Sequence, residues 1–255
     1  MKLDRIKEVE YYIAENKAVS LDKLCDTFNL SKNTIRRYIN ELAEKGCIEK
    51  IYGGVVAKNQ TLFISYEERN DKNIEAKATI GARASAFIHD NDIIYIDSGT
   101  TTFHMVEYIK YRDNITVITN NLHIINALFS CENIHIISPG GQLMHKTSSF
   151  AGIESINMLK HYNITKAFMS TTGVSIENGL TNSSKEEFEF KKFVAQKSGE
   201  LYLLADSSKF GISSLLTYCP LEDVDYVICE KPLSEKYMNY LKQHEVNFIT
   251  EPHFV

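Results

Sequence analysis

The chain has 255 residues, of which 44% are hydrophobic, and it carries a formal net charge of −5. This length allows one large domain, or a small domain followed by a medium one, with a buried core. The five scattered cysteines and the eight histidines lack the spacing of a zinc site or a disulfide framework, and no segment reaches the ~18 apolar residues of a membrane span. The first residues also lack the apolar core of a signal peptide. We therefore expect a cytoplasmic protein with reduced thiols, no metal, no cofactor and no membrane partner.

The first three predicted elements are helices, each with one apolar face. The first helix covers residues 4–16, and the second ends at the run Asn29-Leu30-Ser31. Ser31 is a suitable N-cap for the third helix. The apolar positions recur at helical spacing, and they are Ile6, Val9 and Ile13, then Leu21, Leu24 and Phe28, then Ile35, Tyr38, Ile39 and Leu42.

The third predicted helix also has a polar face suited to DNA. This face is formed by Asn33, Arg36, Arg37 and Asn40. Arginine can donate two hydrogen bonds to guanine or to a phosphate, asparagine can pair with adenine, and a helix fits the major groove. The alternative is an ordinary helical hairpin whose charged side chains are simply solvated.

A short β-hairpin, or wing, is predicted after the third helix. It consists of a strand at 47–51, a tight turn at Gly53-Gly54 and a returning strand at 55–57. Lys50 and Lys58 flank this wing, where they can contact backbone phosphate. Residues 1–60 hold 11 basic against 9 acidic side chains although the whole chain is acidic, which fits DNA contact through one small surface.

The run Ser31-Lys32-Asn33-Thr34-Ile35-Arg36-Arg37, together with Gly46 and Gly53-Gly54, resembles the amino-terminal domain of the DeoR family of bacterial transcriptional regulators. The resemblance implies that residues 1–58 form a winged helix-turn-helix domain that binds double-stranded operator DNA. The family usually has an aspartate where this chain has Tyr38, which we expect to pack against the first helix or to lie beside a phosphate. The expected DNA-binding residues are Ser31, Lys32, Asn33, Thr34, Arg36, Arg37, Asn40 and Lys50.

Residues 59–74 are mixed and polar and are expected to form a linker. In residues 75–255, short β-rich runs alternate with helical stretches, which predicts a Rossmann-like α/β domain with a mainly parallel sheet. The predicted strands are 93–97, 115–119, 134–138, 166–170, 201–205, 226–229 and 246–249. The predicted helices are 75–88, 101–111, 122–129, 154–161, 185–198 and 234–244.

Small or polar residues follow each of the first five predicted strands, at the edge where open parallel sheets bind ligands. In the run Ser98-Gly99-Thr100-Thr101-Thr102, glycine permits a sharp turn, the amides of a helix start can face an anion, and hydroxyls add donors. This predicts a phosphate-binding loop, although the same residues can serve only to cap a helix. The other strand ends are Asn120-Asn121, Gly140-Gly141, Thr171-Thr172-Gly173 and Asp206-Ser207-Ser208-Lys209.

The motifs of this second part also resemble the DeoR family; they are IDSGTTT, Thr119-Asn120, Gly140-Gly141, Gly179-Leu180-Thr181 and ADSSKFG at 205–211. The resemblance implies an effector-sensing domain similar in fold to ribose-5-phosphate isomerase, which binds a phosphorylated sugar or a related metabolite. The chain departs from the family at Met144, often an arginine, and at Thr172, often an aspartate. The expected effector-binding residues are Asp97, Ser98, Gly99, Thr100, Thr101, Thr102, Asn120, Gly140, Gly141, Glu187, Lys191, Asp206 and Lys209.

Glu187 and Lys191 have a second interpretation, because they are four residues apart on a predicted helix. Such a pair can be a solvated ion pair worth about 0.3–0.5 kcal/mol, with no role in binding.

Three functions remain in competition. The first is a sequence-specific repressor of sugar-metabolism genes, without catalytic residues, controlled by a phosphorylated sugar. The second is an active sugar-phosphate isomerase with a DNA-binding head; its enediol chemistry needs a carboxylate base, for which Asp97, Glu187 and Asp206 remain. The third is an architectural DNA-binding protein without a ligand. One small reading helix binds modestly, so we expect at least a dimer on paired half-sites.

Overall fold

The computed structural model describes residues 2–16, 18–44, 47–57 and 66–251. The chain divides into two compact units, Met1–Phe63 and Ile64–Val255. Within the described ranges, no helix is long and apolar enough to span a membrane. Lys58, which the sequence placed beside the wing, lies outside the described residues.

The first unit contains three helices and a three-stranded antiparallel sheet in which the last strand lies in the middle. The elements are α1 (Lys2–Asn16), β1 (Ala18–Ser20), α2 (Leu21–Phe28), α3 (Lys32–Glu44), β2 (Ile48–Ile51) and β3 (Gly54–Ala57). Asn29 ends α2 in the left-handed conformation, with φ of 50°, and the hydroxyl of Ser31 accepts from the amide of Thr34 at 3.2 Å. The predicted winged helix-turn-helix fold is thus confirmed.

One apolar core holds the first unit together. The predicted faces of the three helices meet in it, and Ile13, Leu24 and Leu42 have no solvent exposure. Strand β1 was not predicted, because three residues are too few to show a period and its formation depends on pairing with β3.

The second unit is built on a seven-stranded parallel sheet with apolar clusters on both faces. All seven strands predicted in residues 75–255 belong to this sheet, whose order is β15-β14-β12-β9-β4-β5-β6. Its strands are β4 (Ile93–Ile96), β5 (Ile115–Ile118), β6 (Ile134–Ile137), β9 (Lys166–Met169), β12 (Glu200–Leu204), β14 (Tyr226–Ile228) and β15 (Asn247–Ile249). The helices are α4 (Tyr66–Asn70), α5 (Ile74–Ser85), α6 (Thr100–Phe103), α7 (Val106–Ile109), α8 (Leu122–Leu128), α9 (Ile153–Leu159), α10 (Lys185–Lys197) and α11 (Glu235–Gln243).

Five short strands of this unit were not predicted. They form a hairpin of β7 (Gln142–Met144) and β8 (Ser149–Ala151), and a small antiparallel sheet of β10 (Gly173–Ser175), β11 (Gly179–Asn182) and β13 (Leu216–Cys219). Strands β10 and β11 begin with glycine and are buried along their whole length, so they lack the alternation that identifies an antiparallel strand.

Two predicted segments differ from the structure. The predicted linker, 59–74, contains α4, whose first residue Tyr66 is buried in the second unit. The predicted helix 101–111 is two short helices, α6 and α7. At the break, the amides of His104 and Met105 donate to the carbonyl oxygens three residues earlier, those of Thr101 and Thr102, so the α-helical pattern is interrupted.

Candidate functional site

The polar face of α3 is open to solvent. Asn33, Arg36, Arg37 and Asn40 are all exposed. Tyr38 is only 5% exposed and belongs to the apolar core, and the guanidinium of Arg37 lies 5.5 Å from the centre of its ring. Of the two roles expected for Tyr38, the structure therefore supports packing.

Three other predicted DNA-binding residues lie at the start of α3, which we call the reading helix. The hydroxyls of Ser31 and Thr34 lie 2.9 Å apart at its first turn. Lys32 forms an ion pair of 2.6 Å with Asp22 on α2, which raises the pKa of the lysine.

A side-chain hydrogen bond joins the wing to α3. The ammonium of Lys50 on β2 donates to Oδ1 of Asn40 at 2.7 Å. At the tip, Tyr52 is fully exposed. Sequence reasoning missed Tyr52, although an aromatic residue at a glycine-containing hairpin turn was the available signal.

The predicted phosphate loop, residues 98–102, is buried, and its hydroxyls differ in what they do. That of Thr102 is bonded within the loop. Thr100 and Thr101 are each 6% exposed, and their hydroxyls have no hydrogen-bond partner among the described residues. Helix α6 has only four residues, so its dipole attracts an anion less than that of a long helix. Thr100 and Thr101 are thus the loop hydroxyls available to a ligand.

Gly99 is needed for a different reason from the one expected. Its φ of −76° and ψ of 156° describe ordinary extended backbone, so no sharp glycine turn occurs there. A Cβ atom at this position would instead collide with the side chain of Ser170.

Three predicted effector residues support the loop from inside the protein. Oδ2 of Asp97 accepts from the amide of Ser170 at 3.0 Å, from the Ser170 hydroxyl and from the ammonium of Lys191. Lys191 donates also to the carbonyl oxygen of Ser170 at 3.0 Å. Glu187 accepts from Ser98 at 3.0 Å and from Asn182 at 3.2 Å. Glu187 and Lys191 are 8% and 4% exposed, so the interpretation of a solvated helix pair is wrong.

Asn120 and the two glycines belong to the hairpin side of the unit. The hydroxyl of Tyr95 donates to Asn120, and Asn120 donates to the carbonyl oxygen of Phe150 on β8, both at 2.9 Å. The carbonyl oxygen of Gly140 accepts from Ser155 at 2.6 Å. The positive φ of Gly141, 103°, and the close approach of Ser155 to it require glycine there. These hydrogen bonds fix the hairpin and do not involve the 98–102 loop.

A cluster of cations lies at the carboxyl end of β12, and sequence reasoning found only one of its members. Lys77 on α5 is 3% exposed and donates to the carbonyl oxygen of Arg69 on α4. The pKa of Lys77 is lowered to about 8, mainly by burial and also by the nearby positive charges of Lys209 and Arg69, whereas Asp206 and Asp71 act to raise it. We call Arg69, Lys77 and Lys209 the cation cluster.

Lys209 shares this environment. Burial lowers the pKa of its ammonium, as do Arg69 and Lys72, whereas Asp206 raises it. Its ammonium has no hydrogen-bond partner within the described part of the chain. Since like charges are close together in a partly desolvated site, an anion placed between them is stabilised.

The signal for Lys77 was present in the sequence. Lys77 falls on the stripe of Ile80, Ala84 and Ile88, at the spacing of one helix face. A lysine on an apolar face is buried, and a buried ammonium needs a partner.

A cavity of about 460 Å³ opens beside Asp206 and is lined by Asn73, Ser207, Ser208 and Glu230, among others. Asp206 is 2% exposed. Its Oδ1 accepts from Asn73 and from the Ser208 amide, both at 3.1 Å. Its Oδ2 is buried without a partner among the described residues. Asp206 therefore borders both this cavity and the cation cluster.

Comparison with known proteins assigns both units. Residues 5–61 match the family model of the DeoR-like helix-turn-helix domain, and residues 72–231 match that of the DeoR C-terminal sensor domain. The chain is 47% identical over 246 residues to the HTH-type transcriptional regulator IolR of Bacillus subtilis, covering 96% of this chain and 98% of that protein. It is 31% identical over 241 residues to the lactose phosphotransferase system repressor of Staphylococcus epidermidis, covering 92% and 94%.

Among solved structures, ribose 5-phosphate isomerase A of Methanocaldococcus jannaschii matches with a TM-score of 0.42 and 16% identity over 55% of each chain. The two family models and the relatives identify the protein through its sequence. The chain belongs to the DeoR family and is a DNA-binding transcriptional regulator.

Proposed function

We propose that this regulator represses sugar-metabolism genes and that a phosphorylated sugar, bound in its second unit, controls its binding to operator DNA. The observation that carries this proposal is the cation cluster, in which Lys77 and Lys209 are desolvated beside each other and Asp206 is the carboxylate that acts on both. A phosphoryl group carries about −1.5 to −2 charges at pH 7 and offers three acceptor oxygens. It therefore supplies the negative charge that balances these two ammonium groups.

We place the phosphoryl group between the cation cluster and the hydroxyls of Thr100 and Thr101. We place the sugar hydroxyls in the cavity beside Asp206, whose Oδ2 is a buried acceptor without a donor among the described residues. Asp97, Glu187 and Lys191 then hold the loop in shape, and they do not touch the ligand.

For the operator, we propose that Asn33, Arg36, Arg37 and Asn40 contact base edges or phosphates, since they are the exposed polar face of α3. Lys50 orients Asn40 and is close enough to the reading helix to follow the same groove. Two copies of the chain on adjacent half-sites supply the affinity that a single small domain lacks.

We assign no catalytic residue. An isomerase needs a carboxylate base directed at the reacting carbon. Glu187 is engaged by two side-chain donors and Asp97 by Ser170 and Lys191. Asp206 retains a free acceptor among the described residues, which we assign to a sugar hydroxyl, and the product assay below tests it as a base. The relatives named above are regulators and a repressor, which agrees with sensing without turnover.

A thermal-shift panel on the full chain tests the proposal. The panel contains glucose 6-phosphate, fructose 6-phosphate, ribose 5-phosphate and 6-phosphogluconate, each beside its unphosphorylated counterpart. A true effector at 100 times its dissociation constant should add about 2.7 kcal/mol to the free energy of unfolding. It should also change the affinity for a duplex selected by the wild-type protein from a randomised pool.

Lys77→Met is the matched variant, because it keeps a long apolar stem and removes the charge. In this variant, each phosphorylated compound should raise the unfolding temperature no more than its unphosphorylated counterpart does. If no phosphorylated compound stabilises the wild type more than its counterpart does, the phosphate part of the proposal is wrong. Accumulation of an isomerised product would favour the isomerase instead.

A further inference from the structure

Helix α4 lies outside both family models, which cover residues 5–61 and 72–231. It comprises residues 66–70 and is the first described element after residue 57. In sequence it therefore follows directly on the segment that leads from the DNA-binding unit. No family motif assigns a role to its side chains.

The start of α4 is fixed to the second unit. The amide of Tyr66 donates to the carbonyl oxygen of Lys146 at 3.2 Å. The Tyr66 ring is 3% exposed and stacks on His123, with ring centres 4.2 Å apart and planes inclined by 14°. The helix thus has a defined position in this unit, and Arg69, one turn later, is held near its own anchor with its guanidinium 5.8 Å from the Tyr66 ring centre.

Among the described residues, Arg69 has no ion pair with a carboxylate, although its guanidinium is partly buried. Its Nε atom is buried without a hydrogen-bond partner among the described residues. Its carbonyl oxygen accepts from Lys77, and its charge repels those of both Lys77 and Lys209. Placing a half-buried guanidinium beside two ammonium groups costs free energy unless an anion binds among the three charges.

We propose that Arg69 is an effector-binding residue, through which the anionic group of the ligand contacts the helix that follows the DNA-binding unit. This inference rests on the proposed function, because it adds a residue to the same anion site. The guanidinium presents a planar fork of donors that matches a phosphoryl or carboxylate group. An anion that draws Arg69 and Lys77 together also competes with the Arg69 carbonyl for the Lys77 ammonium, so ligand occupancy acts directly on α4.

Orthophosphate titrations of the full chain test this assignment. We expect Arg69→Gln to weaken phosphate binding about ten- to a hundredfold, as for loss of one donor to a charged group. Arg69→Lys keeps the charge but not the fork and should recover part of that loss. The control is Lys160→Gln, an exposed lysine on the same unit that donates only to Asn157; its phosphate affinity should equal that of the wild type.

Hydrogen exchange separates ligand contact from a merely structural role. In the wild type, saturating phosphate should slow amide exchange in the peptide that contains residues 66–70. In Arg69→Gln, at a phosphate concentration raised to restore saturation, that peptide should gain little protection, while the 98–102 loop is protected as before. Thermal stability of the ligand-free variant equal to or above that of the wild type confirms that its fold is intact.

The two proposals fail in different ways. If Lys77→Met loses phosphate binding but Arg69→Gln binds like the wild type, Arg69 is not a ligand residue and the proposed function stands. If the wild type binds neither orthophosphate nor any phosphorylated sugar of the panel, the anion site itself is wrong and both proposals are overturned.

Discussion

We propose that single residues of α3 carry the sequence specificity of this regulator. Arg36 and Arg37 are exposed on α3, and Arg37 is also braced against the buried ring of Tyr38. We expect Arg36→Ala or Arg37→Ala to cost about 1–3 kcal/mol of operator binding and to relax the preference at one base pair. Competition binding at fixed salt against single-base variants of the operator measures both effects. The control is Arg5→Ala on α1, which should leave base preference unchanged. If Arg36→Ala and Arg37→Ala bind the operator as the wild type does, another surface of the protein reads the DNA.

The pKa of Lys77, lowered by burial from 10.5 to about 8, gives the anion site a pH dependence. The folded protein releases this proton at lower pH than the unfolded chain does, so the ammonium contributes instability below pH 8 that disappears as pH rises towards 10.5. A sugar phosphate is a monoester whose second pKa is about 6, so it is already mostly a dianion in this range. Affinity for the sugar phosphate should therefore fall, by up to about tenfold between pH 7 and 9, as Lys77 loses its charge.

Titrations at these two pH values with the phosphorylated sugar that stabilises the wild type in the thermal-shift panel check this prediction. Lys209, whose pKa is also lowered, contributes to the same fall, so the informative quantity is the difference from Lys77→Met. The variant should bind more weakly at pH 7 and change less with pH. Parallel profiles for the two proteins would show that Lys77 does not hold the anion.

At the scale of one element, the 98–102 loop combines a binding role with a structural role in adjacent residues. Thr101 is 6% exposed and its hydroxyl has no hydrogen-bond partner in the described ranges, whereas the hydroxyl of Thr102 bonds to the carbonyl oxygens of Asp97 and Gly99. We expect Thr101→Val to keep thermal stability and to bind the effector about ten- to a hundredfold more weakly. Thr102→Val should lower the free energy of unfolding by about 1–3 kcal/mol. Calorimetric unfolding and ligand titration of both variants distinguish the roles. If Thr101→Val lowers stability and Thr102→Val weakens ligand binding, the two roles are reversed.

The main sheet could be predicted from the sequence because its strands are short, mostly apolar runs, with Ile and Val prominent in β4, β5 and β6, separated by helical stretches. The small sheet of β10, β11 and β13 could not, since its pairing joins residues far apart in the chain and its side chains show no alternation. The role of Gly99 was missed for the same reason. Its constraint is the approach of Ser170, which belongs to another strand end.

The candidate site was predicted only in part. Its location at the carboxyl ends of the strands follows from the parallel order of the sheet. Whether a polar side chain faces a ligand or another side chain depends on tertiary contacts: Asp97 and Lys191 pair with each other in the interior, while Lys77 lies where a periodic pattern predicts an apolar residue. The partners of these groups are fixed by elements that are distant in sequence.

At the scale of the whole molecule, the two units have different tasks and different electrostatics. The first exposes cations on one helix face, and the second holds a few desolvated cations. We propose that the first set binds a polyanion and the second a small anion. Helix α4, the first described helix of the second unit, takes part in the second site through Arg69, whose carbonyl oxygen accepts from Lys77 on α5. By linkage, any effect of the small anion on DNA binding requires an equal effect of DNA on affinity for the anion.

The repulsion within the cation cluster also bears on how long the protein persists in a cell. Its free-energy cost falls on the folded state, and a bound anion removes it, so the population of unfolded molecules shrinks as effector accumulates. Proteases degrade those unfolded molecules. The abundance of the regulator, and not only its occupancy of DNA, should then rise and fall with the metabolite that it senses.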